Sequence, residues 1–204
     1  MRLTVGSKVF YPYQGLCLIS MVVKRVIDGT QKEFYHLTLL DNSGSDLFVP
    51  IDKVEAIGIR PLLKESDIPK LLDRLKQPTQ SSSDSRQRTQ DNQRLLASGS
   101  AFDLAAIVQS LTALSQTKAL SPGEHRTIDR ARRLLISEIS EVMRETKEEA
   151  EEQVDEALET LKEEVNLSPM TGKNGDHPYY RNSDRKKISG QKKGETQRAG
   201  AQCP

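Results

Sequence analysis

Residues 16–40, LCLISMVVKRVIDGTQKEFYHLTLL, decide the fold of the front of this chain. The runs 16–23 and 34–40 are apolar, with β-branched and aromatic members, and Asp28-Gly29 stands between them as a turn signal. Leu37 and Leu39 alternate with Thr38 at the strand period of two. Further out, the run 9–11 ends at Pro12 and the run 47–49 ends at Pro50. Gln14-Gly15 and Asp41-Asn42-Ser43-Gly44 separate the remaining runs with residues that accept positive φ and bond their own backbone. Strands this short and closely spaced predict a small antiparallel barrel or curled sheet over residues 1–60.

The period then changes. In 61–84, Leu71, Leu72 and Leu75 share one helical face behind Asp67 and Pro69, and a polar run QPTQSSSDS follows as a linker. From 85 to 165 the pattern is helical. Leu104, Ile107, Val108, Leu111 and Leu114 fall at i, i+3, i+4, i+7 and i+10. Ser121-Pro122-Gly123-Glu124 is a capping box with proline at the first helical position. Ile128, Ala131, Leu135, Ile139 and Val142 give the buried face of the helix it opens, and Val154, Leu158 and Leu161 that of a last, acidic helix. Short connections predict a compact bundle of three to five helices. Residues 166–204 hold almost no aliphatics, which predicts a disordered tail. The fold class is therefore α+β: a small sheet domain, then an all-α bundle, then a tail.

Composition bounds the function. The 204 residues include only 9 aromatics (4 Phe, 5 Tyr, no Trp), and 30 Lys+Arg against 29 Asp+Glu leave +1. The charge is segregated. Residues 86–133 carry 8 basic and 4 acidic side chains, 138–164 carry 3 and 12, and 167–204 carry 8 and 3. A basic start opposed by an acidic finish suits docking on a polyanion in one orientation, or is an ordinary solvated surface. No apolar run is long enough to span a membrane, and no secretory signal is legible, so the expectation is a cytoplasmic protein without membrane contact. Cys17 and Cys203 fit neither a disulfide framework nor a zinc pattern. His36, His125 and His177 have no metal-ligand spacing, and no nucleophile elbow or phosphate-cradling glycine loop is present. The sequence therefore proposes no enzyme, no cofactor, no metal and no small-molecule substrate.

Several stretches resemble the CarD/CdnL family of bacterial transcription regulators. They are VGSKVFYPYQGLCLI, VIDGTQKEFYHLTL and LFVPIDKVEAIGIRPL at the front, then NQRLLASGSAFDLAAIVQSL and ALSPGEHRTIDRARRLLISEI behind. The resemblance implies a Tudor-like front domain that binds the β subunit of RNA polymerase. It also implies a helical domain that touches promoter DNA without base readout, in a monomer that tunes open-complex stability. On the polymerase side it points to Arg25 and Ile27 on the strand before the Asp28-Gly29 turn, with Lys24 beside them. Phe48 falls beside a second family arginine. The family's wedge tryptophan aligns with Ser85, and a flat group is what an unstacked base step accepts. Arg86 and Arg88 keep basic character next to it. The family's helix-opening lysine reads His125, followed by Arg126, at a helix N-terminus that can meet a phosphate. With the tryptophan absent, the alternative is a polymerase-bound adaptor whose helices no longer bind DNA.

Overall fold

Asp28 and Gly29 both take positive φ (51° and 74°) and close a two-residue hairpin between β2 (Gly15–Ile27) and β3 (Thr30–Leu39). This is the backbone that a tight hairpin of right-handed strands needs, and Asp-Gly supplies it at low steric cost. The computed structural model describes residues 3–41, 44–77 and 84–167. The Asn42-Ser43 turn, the 78–83 part of the polar linker and the basic tail lie outside the described residues. With β1 (Lys8–Tyr11), β4 (Asp46–Pro50) and β5 (Arg60–Pro61), the strands form one antiparallel sheet in the order β4-β3-β2-β1-β5. The sheet is open, with β4 and β5 as its edges. A short helix α1 (Val54–Ile57) ends at Gly58, whose φ of +85° makes the C-cap.

Behind the sheet come α2 (Ile68–Lys76), α3 (Ser85–Ser98), α4 (Ala101–Thr117), α5 (Pro122–Met143) and α6 (Lys147–Leu167). The capping box read from sequence is formed: Ser121 Oγ accepts from Glu124 N–H, and Glu124 Oε2 accepts from Ser121 N–H. Thr146 and Glu149 build the same reciprocal pair at the start of α6. Leu104, Ile107, Val108 and Leu111 of α4 pack with Ala131, Leu135 and Ile139 of α5 and with Val154, Leu158 and Leu161 of α6. The segment read as a linker helix does more than connect. Ile68, Leu71 and Leu75 of α2 are buried in this same core, because α2 lies against α4 and α6.

The strand period explains how sheet and helices become one body. Val9 and Phe10 are neighbours and so face opposite ways. Val9 joins the sheet's own core with Cys17, Ile19, Tyr35, Leu37 and Val49, whereas Phe10 is buried among the helices. Arg60 completes the joint. Its guanidinium donates to both carboxylate oxygens of Glu138 (2.6 and 2.8 Å) and to the Gly99 carbonyl (2.9 Å), and it lies 4.5 Å from the centre of the Phe10 ring. Glu138, on α5 and almost fully buried, also accepts from Leu63 N–H. Pro12 packs against Gly99, where an added Cβ would sit 2.7 Å from Pro12 Cγ at φ +66°. Only glycine fits there.

Candidate functional site

β2 is longer than its neighbours, and that length creates the first candidate surface. It pairs with β1 only through Leu18, and β4 pairs with β3 only from Phe34 to Thr38. Residues 22–27 and 30–33 therefore project as a two-stranded ribbon. An irregularity between Ile19 and Met21 shifts the phase of β2, so Met21, Val23, Arg25 and Ile27 share a face. Across the sheet the register places His36 opposite Met21 and Phe48 opposite His36.

That face carries a stack. The Arg25 guanidinium lies 4.0 Å from the centre of the Phe48 ring, and His36 stacks on Phe48 at 4.8 Å and 13°. Phe48 stays 42% exposed and Ile27 38%, so neither is core. A cation–π contact this exposed contributes about 0.5–1 kcal/mol; it orders the arginine more than it stabilises the fold. His36 Nε2 lies 3.0 Å from Asp46 Oδ1, close enough for an ion pair but angled away from a hydrogen bond. Asp46 Oδ1 does accept from Thr38 Oγ1, which in turn pairs with Ser20 Oγ. Lys24 is on the other face, 3.4 Å from exposed Glu33, in a pair of the weak surface kind. Arg25, Ile27 and Phe48 are thus brought to one side and Lys24 is not. Sequence reasoning missed His36 as a support for Phe48; the signal is the β3–β4 register, which only the pairing supplies.

The second candidate surface is where α3 and α5 begin. Arg86, His125 and Arg126 are exposed there. Arg88 corrects the sequence reading. It is 5% exposed and its guanidinium holds Glu124 through Nε (2.8 Å) and Nη2 (2.7 Å), tying α3 to the start of α5. A buried, paired arginine is a clamp and does not reach a phosphate. Burial pushes the Glu124 carboxyl up, but hydrogen bonds from the Ser121 backbone and hydroxyl and from Arg88 outweigh it and bring its pKa to about 2. The phosphate-binding capacity of this helix end is also reduced. Pro122 has no N–H, the Glu124 N–H goes to Ser121 Oγ, and the His125 N–H goes to the Ser121 carbonyl. At α3 the Asp84 side chain accepts from the N–H groups of Arg86 and Gln87. The exposed charges are therefore carried by side chains, with Ser85 beside them at the tip of α3.

Elsewhere chemistry is sparse. Burial and then the nearby Asp41 charge push the Cys17 thiol up to about 12, far from a reactive thiolate. Among the described residues no group of three metal-ligating side chains converges, and no helix is long and apolar enough to cross a membrane.

Residues 3–63 match the family model described as the CarD-like/TRCF RID domain, and residues 70–155 match the one described as the CarD C-terminal domain. The chain belongs to the CarD/CdnL family. The ribbon with Arg25 and Ile27, and Phe48 of β4, fall inside the RID match, and the starts of α3 and α5 fall inside the C-terminal match. CarD-like RID domains are non-catalytic modules that interact with RNA polymerase, which places this CarD-family chain with the transcription machinery.

Proposed function

We propose that this protein docks on the β subunit of bacterial RNA polymerase through Arg25, Ile27 and Phe48. The helical part is then held against promoter DNA, where it modulates open-complex stability without reading sequence and without catalysing a reaction. The observation that carries the reading is the exposed stack of Arg25, on a ribbon that projects past its own sheet, over Phe48 of β4. An arginine pre-ordered over an aromatic ring, with Ile27 beside it, has the composition of an interface anchor. Lys24 adds charge on the opposite face and serves encounter rather than contact.

On the DNA side Arg86, His125 and Arg126 supply backbone contacts only. Side-chain charges at two capped helix ends suit phosphate oxygens and offer no fixed donor pattern for base edges. Tethering makes such weak contacts effective, because the polymerase-bound protein meets promoter DNA at high local concentration. Burial of Arg88 also favours a second reading, an adaptor whose helices bind another protein.

Open-complex lifetime measured with polymerase, with and without the full chain, across a salt series separates the two. A stabilising effect that fades as salt rises supports DNA contact. A salt-insensitive effect supports the adaptor.

A further inference from the structure

We propose that the outer face of α5 carries a second contact for duplex DNA, made by Arg130 and Arg133 and positioned by Tyr13 of the β1–β2 turn. This extension rests on the reading of Arg126 as a phosphate contact and continues it along the helix toward the sheet.

Arg126, Arg130 and Arg133 sit at i, i+4 and i+7, one stripe of a helix, and all three are exposed. Their neighbours show how this fold treats an arginine that it uses internally. Arg132 is held by Glu151 (3.0 Å) and Asp155 (2.6 Å), and Arg88 by Glu124 (2.7 Å). Among the described residues no carboxylate pairs with Arg126, Arg130 or Arg133, and the one side-chain bond of Arg133 goes to the Asp129 backbone carbonyl. One helix thus holds one neutralised arginine and three unneutralised ones in register.

Tyr13 gives the stripe a fixed middle. Its φ of +65° is a costly conformation for a bulky residue, of the kind kept where surrounding structure demands it. Its hydroxyl donates to the Gln93 carbonyl on α3 (3.1 Å), and its ring lies 5.9 Å from the Arg130 guanidinium carbon. α3 and α5 touch at Arg88–Glu124 and are bridged again by Tyr13 five and six residues later. The two helices therefore run side by side in the same direction away from the proposed DNA end. From Arg126 to Arg133 the rise is about 10 Å, close to the length of three nucleotides at about 3.4 Å each.

Arg130 and Arg133 border a cleft of about 880 Å³ beside Tyr13, which carboxylates also line. Of these, Glu141 is taken by Lys8 and Glu151 by Arg132, while Asp41, Asp129 and Glu148 line the cleft together with Arg130, Arg133 and Lys147. The occupant is a backbone passing over the rim at Arg130 and Arg133. Row length, charge and continuity with Arg126 all fit duplex DNA.

The test is binding of the full chain to a 30-base-pair duplex by fluorescence anisotropy, starting at 25 mM salt and repeated up the salt series. The slope of log K against log salt should fall by about 2 in the R130Q/R133Q double variant, with helical circular dichroism and polymerase capture unchanged. Tyr13→Leu, which removes both the ring beside Arg130 and the bond to Gln93, should also lower the slope. An unchanged slope in R130Q/R133Q with a lowered slope in Arg86→Gln overturns this extension and leaves the helix-end reading intact. An unchanged slope in both, or no binding by wild type, overturns both DNA readings and leaves polymerase docking standing.

Discussion

Arg60 and Arg25 belong to the same sheet and are used in opposite ways. Arg60 sits at the joint, where both Glu138 oxygens, the Gly99 carbonyl and the Phe10 ring surround its guanidinium. Arg25 lies on the free ribbon over Phe48, with one side of the pair open to water. The helices repeat the contrast, with Arg88 buried on Glu124 and Arg126 exposed two residues along α5. The saturated arginines tie elements together, Arg60 the sheet to α5 and Arg88 α3 to α5, and the unsaturated ones stay exposed. A molecule built this way transmits position: wherever the ribbon is held, the helix ends follow.

The joint is where substitution should cost most. Glu138→Ala leaves the Arg60 charge and the Leu63 N–H without their acceptor and should destabilise by about 3–5 kcal/mol, read as a lower midpoint in urea. A surface pair treated likewise, Lys24→Ala against Glu33, should change stability by less than about 1 kcal/mol. Equal losses at the two would erase the distinction.

The Arg88–Glu124 clamp predicts a pH dependence. The Glu124 pKa is about 2 in the folded chain against the ordinary value of 4.5, so this carboxylate contributes stability above about pH 4.5. That contribution is lost as pH falls through 2. Thermal melts between pH 5 and pH 2 should fall less steeply for Glu124→Gln than for wild type, with Glu124→Gln the less stable near neutrality. Parallel curves would remove the clamp from the account.

A smaller effect of opposite sign is expected inside α4. Gln109 is fully buried, and neither amide atom has a hydrogen-bond partner among the described residues. Gln109→Met keeps the shape and removes the unpaired amide, so it should stabilise by about 1 kcal/mol.

The sequence carried whatever depends on near neighbours. Asp28-Gly29 announces its hairpin, Ser121 to Glu124 announces its cap, and the apolar spacings of α4, α5 and α6 announce their buried faces. What it hid is set by distant partners. Strand alternation says that Phe10 and Val9 face apart but not that helices cover the Phe10 side. Arg88 looks like any basic residue near a helix start, because the carboxylate that buries it lies 36 positions away. Glu138 reads as part of an acidic run, and its partner Arg60 is 78 positions distant. The polymerase-facing candidates were named by the family resemblance; local hairpin register puts Arg25 and Ile27 on one face, whereas Phe48 joins them only through the β3–β4 pairing. Of the DNA-facing candidates Arg86, Arg88, His125 and Arg126, Arg88 is the one removed from the surface by this long-range pairing.

Phe10, Leu16, Leu62 and Leu63 all pack on the helical core, so the intact chain, not the isolated sheet, is the right bait for the decisive experiment. The 204-residue chain immobilised in bacterial lysate should capture RNA polymerase through its β subunit, and Arg25→Glu should abolish capture while leaving circular dichroism and melting unchanged. Retention of polymerase by a folded Arg25→Glu variant would contradict the assignment of the ribbon as the docking surface.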